Sequence, residues 1–316
     1  MRPPDHISRQ LKLRHLRVFL AVAQWGSMIR AAEQLSMAQS VVSKAISDLE
    51  GILGLPLFDR HPHGVEPTLY GRALLNRGKS IFNDLRTSVG ELQFLADPTA
   101  GELRIGSNEP IAAGLLCAVL DQLSRRHRRL AFHVTVGEAT ALYDRELRGR
   151  NIDLMIGRLP AADLLPDAEA EVLFHERMFA VAGSQNPWTR RRRIELADLM
   201  DEPWCLPPPE SFPGALVAKV FRAAGLDIPR TGVTAFSIQV QTTLLASGRF
   251  LTILPASVLP FSAKRLMLKV LDVNLPIQPW PVGIVTLKNR TLNPAARVFI
   301  DCARKIARPL AKGDQV

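Results

Sequence analysis

Cysteine is scarce in this 316-residue chain: Cys117, Cys205 and Cys302 lie far apart and form no CxxC pair. Buried free thiols are the expected state, with a redox sensor as the alternative. No run of 18 apolar residues occurs, so no membrane-spanning helix is expected. The opening segment, MRPPDHISRQLKLRHL, has no apolar centre of the kind a signal peptide carries. A cytoplasmic protein with no membrane partner is therefore expected. Catalytic signatures are missing too: there is no G-x-S-x-G, no G-x-G-x-x-G after a strand, no P-loop and no zinc-ligand spacing. These gaps disfavour an enzyme on a doubly wound fold, and no metal or cofactor is expected. An exported solute-binding transport component is disfavoured by the missing export signal.

What is present is an ordinary globular composition, 47% hydrophobic and 22% charged, with a net charge of +10. The length suits two or three domains, and the positive balance points toward anionic partners.

The most informative stretch is residues 13–70. Leu16, Phe19, Leu20 and Ala23 recur at helical spacing and make one apolar stripe. Gly26 ends that helix, and Ser27 is placed to cap a second one that turns Met28, Ala31, Ala32 and Leu35 inward. After Ser36 and Met37 a third helix is expected from about Ala38 to Leu49. On its wheel Gln39, Ser43, Ser47, Ser40 and Lys44 fall within roughly 140° of arc. Val42, Ala45, Ile46 and Leu49 lie opposite. A solvated surface is the bland reading of such a face. Surface helices favour Glu, Lys and Arg, however, and a serine-rich face costs helix propensity, which suggests a steric requirement. Amides suit adenine edges, hydroxyls either base type, and lysine guanine or phosphate. Leu57 and Phe58 then anchor a short basic loop of Arg60, His61, His63 and Gly64, placed as a wing against a phosphate backbone or minor groove. Its histidines are too isolated to make a metal site.

These residues resemble the winged helix-turn-helix of LysR-type transcriptional regulators. The matching elements are L-R-x-L-x-x-F at 13–19, G-S-x-x-x-A-A-x-x-L at 26–35 and S-x-x-I-x-x-L-E at 43–50. The G-x-x-L-F-x-R segment at 54–60 and T-x-x-G at 68–71 complete the pattern. Two departures stand out. Ala38-Gln39-Ser40 replaces the usual Ser-Gln-Pro, removing a helix cap and phosphate contact. Lys44 stands where arginine is commoner, keeping the charge but losing the bidentate fork. Base preference is therefore open, while the DNA-binding role is expected, through Ser27, Gln39, Ser40, Ser43, Lys44, Ser47, Arg60 and His61.

Thr68 can cap a long helix reaching about Leu95 and ended by Asp97-Pro98. Leu74, Gly78, Ile81, Leu85, Ser88, Leu92 and Leu95 follow the 4/3 spacing of a coiled-coil seam. Pairing with a second copy and packing on the same chain are both open, the first being favoured. The resemblance implies a homodimer or a tetramer of two dimers, with RNA polymerase a further candidate partner.

From Gly101 onward strands are expected at Glu102–Gly106, Ala131–Val136, Ile152–Gly157, Met178–Ala182, Phe250–Leu254 and Pro281–Leu287. Helices fall between them, as at Pro110–Arg126 and Phe212–Ala224. This βα alternation predicts open, mostly parallel sheets covered on both faces, with ligands outside the carboxyl ends of strands. The resemblance extends here through L-R-I-G at 103–106, I-D-L-x-I-G-R at 152–158 and A-S-G-R-F-L-T-I-L-P at 246–255. It implies a two-lobed effector domain like that of type 2 periplasmic-binding proteins. By position Ser107, Asn108, Thr140, Pro208, Ser211 and Ser237 would line its cleft, though each is equally well read as a helix cap or loop polar group. The arginine clusters 125–129 and 190–193 read as solvated surface, with DNA-backbone or oligomer contacts as alternatives.

The expected architecture is thus α/β. A winged helix-turn-helix occupies 1–67, a linker helix 68–98 and an effector domain 99–316, with lobe I at about 100–172 and 273–305 and lobe II at about 173–272. The expected function is a sequence-specific regulator of transcription that binds double-stranded DNA and answers to a small metabolite. The alternative is a constitutive or architectural DNA binder without an effector.

Overall fold

The short apolar faces of the first three helices bury one another. In the computed structural model, which describes residues 10–61, 64–97, 100–261 and 267–312, these are α1 (Leu13–Trp25), α2 (Met28–Leu35) and α3 (Gln39–Leu53). Gly26 takes a left-handed conformation and closes α1, while the Ser27 hydroxyl accepts from the Arg30 N–H and opens α2. Val42, Ala45, Ile46 and Leu49 form the buried face of α3. On α1 the buried set is Leu16, Val18, Phe19 and Val22, while Leu20 and Ala23 are half-buried. The stripe is therefore rotated toward the valines, and Phe19 packs on Phe58 with ring centroids 5.2 Å apart. α3 runs to Leu53, a turn beyond the expected Leu49, because Gly51 is tolerated within the helix and Gly54 supplies the left-handed stop.

An antiparallel hairpin of β1 (Phe58–His61) and β2 (Gly64–Pro67) follows. The Val65 N–H donates to the Gly26 carbonyl at 2.9 Å, and a Cβ on Gly64 would sit 2.4 Å from that same oxygen. The hairpin can lie this close to the α1–α2 turn only with glycine there. His63 lies outside the described residues. Thr68 caps α4 (Leu69–Ala96), its Oγ1 accepting from the Gly71 N–H at 3.0 Å. Leu74 and Leu75 pack against the N-terminal core. Chain contacts divide the molecule inside α4 into two units, Met1–Val89 and Gly90–Val316.

The second unit holds two five-stranded sheets. The first contains β3 (Ala100–Ser107), β4 (Arg129–Val136), β5 (Leu154–Arg158), β6 (Ala168–Glu176) and β12 (Trp280–Leu287), in the order β4-β3-β5-β12-β6. The second contains β7 (Met178–Gly183), β8 (Trp204–Leu206), β9 (Thr231–Thr234), β10 (Leu251–Pro255) and β11 (Leu268–Val270), in the order β11-β7-β10-β8-β9. The chain crosses between the sheets after Glu176 and returns between Val270 and Trp280. Both sheets are mixed, not mostly parallel as expected. β12 runs antiparallel to β5 and β6, and β7 antiparallel to β10 and β11. These strands are reached by crossing from the other sheet, without the helical crossover that makes a neighbouring strand parallel.

In the first lobe the core gathers α5 (residues 109–126, with a π-helical turn at Ala112–Leu116) and α9 (Pro294–Lys312) against the sheet. α6 occupies residues 139–147, its second part, Leu142–Leu147, being π-helical. In the second lobe α7 (Phe212–Ala223) buries Phe221 edge-on against Trp204, whose indole N–H donates to the Leu199 carbonyl. α8 (Ile238–Ala246) completes that lobe.

Candidate nucleic-acid interface and ligand cavity

In the N-terminal unit Gln39, Ser40, Lys44 and Ser47 are exposed on one side of α3, and Ser43 is half-buried beside them. Ala38 supplies no side-chain cap to α3. Its carbonyl accepts from the Val41 and Val42 N–H groups, so the turn closes on backbone alone. Ser27 is half-buried and its hydroxyl is engaged in capping α2. Arg60 and His61 are exposed on the hairpin. Glu50, which the sequence reading did not single out, binds the hairpin to α3. Its Oε1 accepts from the Leu57 and Phe58 N–H groups at 2.7 and 3.3 Å, and its other oxygen lies 4.0 Å from the Arg60 guanidinium. The hairpin is thus held at a fixed place relative to the polar face of α3.

In the C-terminal unit a cavity of about 70 Å³ lies between the two lobes. On the same measure one water needs roughly 10–15 Å³, so the space fits a small molecule. Of the six residues expected to line a cleft, Asn108 does so. Its Oδ1 accepts from the Arg158 N–H at 3.2 Å, and a Cβ at Gly157 would stand 2.2 Å from that oxygen, so only glycine admits the side chain along β5. The other five are not among the lining residues. Ser107 is buried and donates to the Ile156 carbonyl at 2.9 Å. Ser211 and Ser237 cap α7 and α8, and Thr140 is exposed on α6. Pro208 is half-buried, its carbonyl accepting from the Ser211 hydroxyl. Ser211 and Ser237 thus take the cap role open for them and Pro208 the loop role, whereas Ser107 ends β3 and Thr140 lies inside the first turn of α6.

Four charged lining residues were not foreseen: Glu109, Glu138, Arg158 and Glu176. Glu109 opens α5, and its Oε1 accepts from the Ile238 N–H at 2.8 Å, joining lobe I to the first turn of α8 in lobe II. Glu176 ends β6 at the crossover and is almost wholly buried. Its Oε1 accepts from the Ser257 N–H at 3.0 Å, and burial pushes its carboxyl up to about 7. Arg158 ends β5, with its guanidinium carbon 3.5 Å from the centre of the Phe212 ring. Burial pushes that guanidinium below its ordinary value, partly opposed by Glu138. Apolar side chains, among them Ile111, Met178, Phe236, Ile253 and Trp280, form most of the remaining wall.

The arginine clusters are surface features. Arg125 pairs with Asp121 and Arg129 with Asp97, and Arg190 to Arg193 are all exposed, Arg191 lying over Trp188. Cys205 and Cys302 are buried and burial pushes their thiols up. Cys117 is exposed, contrary to expectation, because it lies on the outer side of α5. Among the described residues no group of three or more His, Cys, Asp or Glu could hold a metal ion, and no helix is long and apolar enough to cross a membrane.

Residues 13–72 match the model of the bacterial regulatory helix-turn-helix proteins of the lysR family, and residues 96–308 match the LysR substrate binding domain. Among curated proteins the chain is 30% identical over 299 residues to the HTH-type transcriptional regulator GbpR of Azospirillum brasilense, covering 94% of this chain and 87% of that one. It is 32% identical over 247 residues to the small neutral protease regulatory protein of Streptomyces coelicolor, covering 77% and 73%. A full-length OxyR variant from Pseudomonas aeruginosa shares the fold at a TM-score of 0.66, with 24% identity and coverage of 95% and 97%. CbnR complexed with its target DNA does so at 0.51, with 22% identity and coverage of 94% and 100%. The chain belongs to the LysR family of transcriptional regulators, with an N-terminal helix-turn-helix domain and a C-terminal two-lobed substrate-binding domain.

Proposed function

We propose that this regulator reads a specific DNA sequence with the exposed face of α3 and alters its grip when a small molecule occupies the cavity between its lobes. The observation that carries the first half is the composition of that face. Gln39, Ser40, Ser43, Lys44 and Ser47 offer short polar groups, backed by a fully apolar opposite side. Short side chains let the helix backbone approach base edges, and amide and hydroxyl groups match the donor and acceptor pattern of the major groove. Arg60 and His61 on the hairpin supply backbone anchorage that carries no base information. The second half rests on the cavity and on the Glu109 bridge across it. A ligand shifts the balance between two conformations only if it binds them unequally, and a pocket shared by two lobes is built to do that. A second copy of the chain, paired through α4, would present two such helices to half-sites one DNA turn apart.

Binding to the DNA upstream of the gene and of its neighbours, measured by anisotropy against a scrambled duplex across a salt series, tests the reading. Gln39→Ala and Ser43→Ala should each lose roughly 1–3 kcal/mol of discrimination while keeping weak, salt-sensitive binding. Unchanged sequence preference in both variants would sink the assignment of the α3 face. DNA binding that no small molecule alters would favour the constitutive alternative.

A further inference from the structure

The cavity's charges do not cancel evenly. Three carboxylates and one guanidinium line it, yet each carboxylate is accounted for in a different way. Glu109 is satisfied by the Ile238 N–H at the positive end of α8. Glu138 is exposed, precedes α6 at the cavity's edge, and offsets only part of the effect of burial on Arg158, with which it forms no ion pair. Glu176 is buried, and burial pushes its carboxyl up to about 7, so it carries only part of a negative charge near neutrality. Arg158 differs from all three. Its side chain is drawn inward over Phe212, and among the described residues no carboxylate lies within ion-pair distance and no acceptor takes a hydrogen bond from its guanidinium. A guanidinium has five N–H donors in a planar fork that fits a carboxylate edge-on. Leaving such a group desolvated and unpaired is costly, and the ring face of Phe212 compensates only part of that cost.

Resting on the reading that this cavity holds the effector, we propose that its occupant is a small monocarboxylate with an apolar body, its carboxylate gripped by Arg158. Three observations converge on this class. Arg158, the one unpaired cation among the described residues of the wall, matches one negative charge, not the two of a phosphate monoester. The rest of the wall is apolar and aromatic, with Ile111, Met178, Phe236 and Trp280 placed to enclose a hydrocarbon or aromatic body. The volume of about 70 Å³ admits a compact molecule and excludes a peptide. Arg158 comes from lobe I and Phe212 from lobe II, so a carboxylate seated on the stacked guanidinium would also join the lobes.

The test uses the full chain with matched pairs of ligands. Straight-chain and ring-bearing carboxylates, from pentanoate to 3-phenylpropionate, are each compared with their primary amide by thermal shift and calorimetry. At least one acid should bind roughly tenfold or more tighter than its amide, since an unpaired buried charge is what the acid relieves. Arg158→Gln should abolish that preference while leaving amide binding in place, and Arg158→Lys should retain part of it. Should Arg158→Gln fail to fold, the lysine variant still decides, because loss of the fork with retention of charge must reduce acid binding. Equal binding of acid and amide, or an acid preference that survives both substitutions, overturns the proposal. Stabilisation by neutral polyols alone, abolished by filling the cavity with Ile111→Trp, overturns the monocarboxylate class but leaves the effector reading standing. Absence of binding by acids, amides and polyols alike overturns both.

Discussion

The carboxylate of Asp153 accepts from the Arg104 N–H at 2.9 Å and from the Arg290 guanidinium at 2.6 Å, with side chains only 7% and 4% exposed. Arg290 also donates to the Ile152 carbonyl. The aspartate of the I-D-L motif therefore stitches β3, β5 and the loop after β12 together, and touches no ligand cavity. Removing one partner of such a pair leaves a buried charge uncompensated. Asp153→Ala should therefore lower stability by about 3–5 kcal/mol, read as a large drop in the melting temperature of the C-terminal unit. An unchanged melting temperature would show the pair to be dispensable. Glu176 makes the opposite kind of statement. Its folded-state affinity for a proton, raised from 4.5 to about 7, means the folded chain keeps a proton that the unfolded chain gives up. This group's contribution is fully present below about pH 4.5 and is lost as pH rises toward 7, on the order of 3 kcal/mol. Glu176→Gln, which keeps an acceptor for the Ser257 N–H, should raise the melting temperature at pH 8 more than at pH 5. Equal effects at both values would contradict the assignment.

At the scale of elements, α4 carries the feature least explained within one chain. Leu74 and Leu75 are covered by the N-terminal core, and Gly78 lies against Leu20. From there on the apolar positions are open, with Leu85 at 44%, Leu92 at 67% and Leu95 at 78% exposure. Exposed apolar positions at coiled-coil spacing are what the proposed pairing with a second copy would cover, and the next substitution tests that proposal. The paired substitution Leu85→Glu with Leu92→Glu should convert the oligomer to monomer in sedimentation and weaken DNA binding through loss of the second half-site. An oligomer that survives the change would place the interface elsewhere. Helices like these were legible because the sequence repeats their 3.6-residue period over several turns, and the buried and free faces of α3 fell as read. Strands were harder. β8 has three residues beside prolines, and β6 lies at a sheet edge with most of its residues exposed or half-exposed, so neither shows a usable alternation. The cavity was harder still. Glu109 meets Ile238 across 129 positions of sequence, and Arg158 meets Phe212 across the lobe crossing. No local pattern announces a pair formed only when two lobes fold together. Asn108 was found because a polar residue at a strand-to-helix junction is a local sign, and Glu50 was missed because the Leu57 and Phe58 N–H groups that donate to it lie beyond a turn.

For the C-terminal unit as a whole, the two lobes touch through specific bonds at the cavity. The Glu109 carboxylate on the Ile238 N–H is one that a single substitution can remove. A hydrogen bond to a charged group contributes about 1.5–3 kcal/mol. Glu109→Ala should therefore speed hydrogen exchange of the Ile238 amide by roughly tenfold to a hundredfold, while amides in the centre of β10 keep their protection. Unchanged protection at Ile238 would mean that the bridge contributes nothing to holding the lobes together.

The order of strands in the first sheet also sets a timetable for synthesis. β6 joins that sheet through β12, and β12 follows the whole of the second lobe in the chain. As the polypeptide emerges from the ribosome, β3, β4 and β5 can assemble early, but β6 must wait, its inner edge unpaired, until the second lobe and then β12 have been made. The second lobe, continuous from β7 to β11, can complete its own core meanwhile. α9, which covers the first sheet, comes later than β12. The first lobe to begin is therefore the last to finish. A nascent chain stalled before β12 would carry one finished lobe and one open sheet edge, the state most exposed to chaperones and to pairing with another chain.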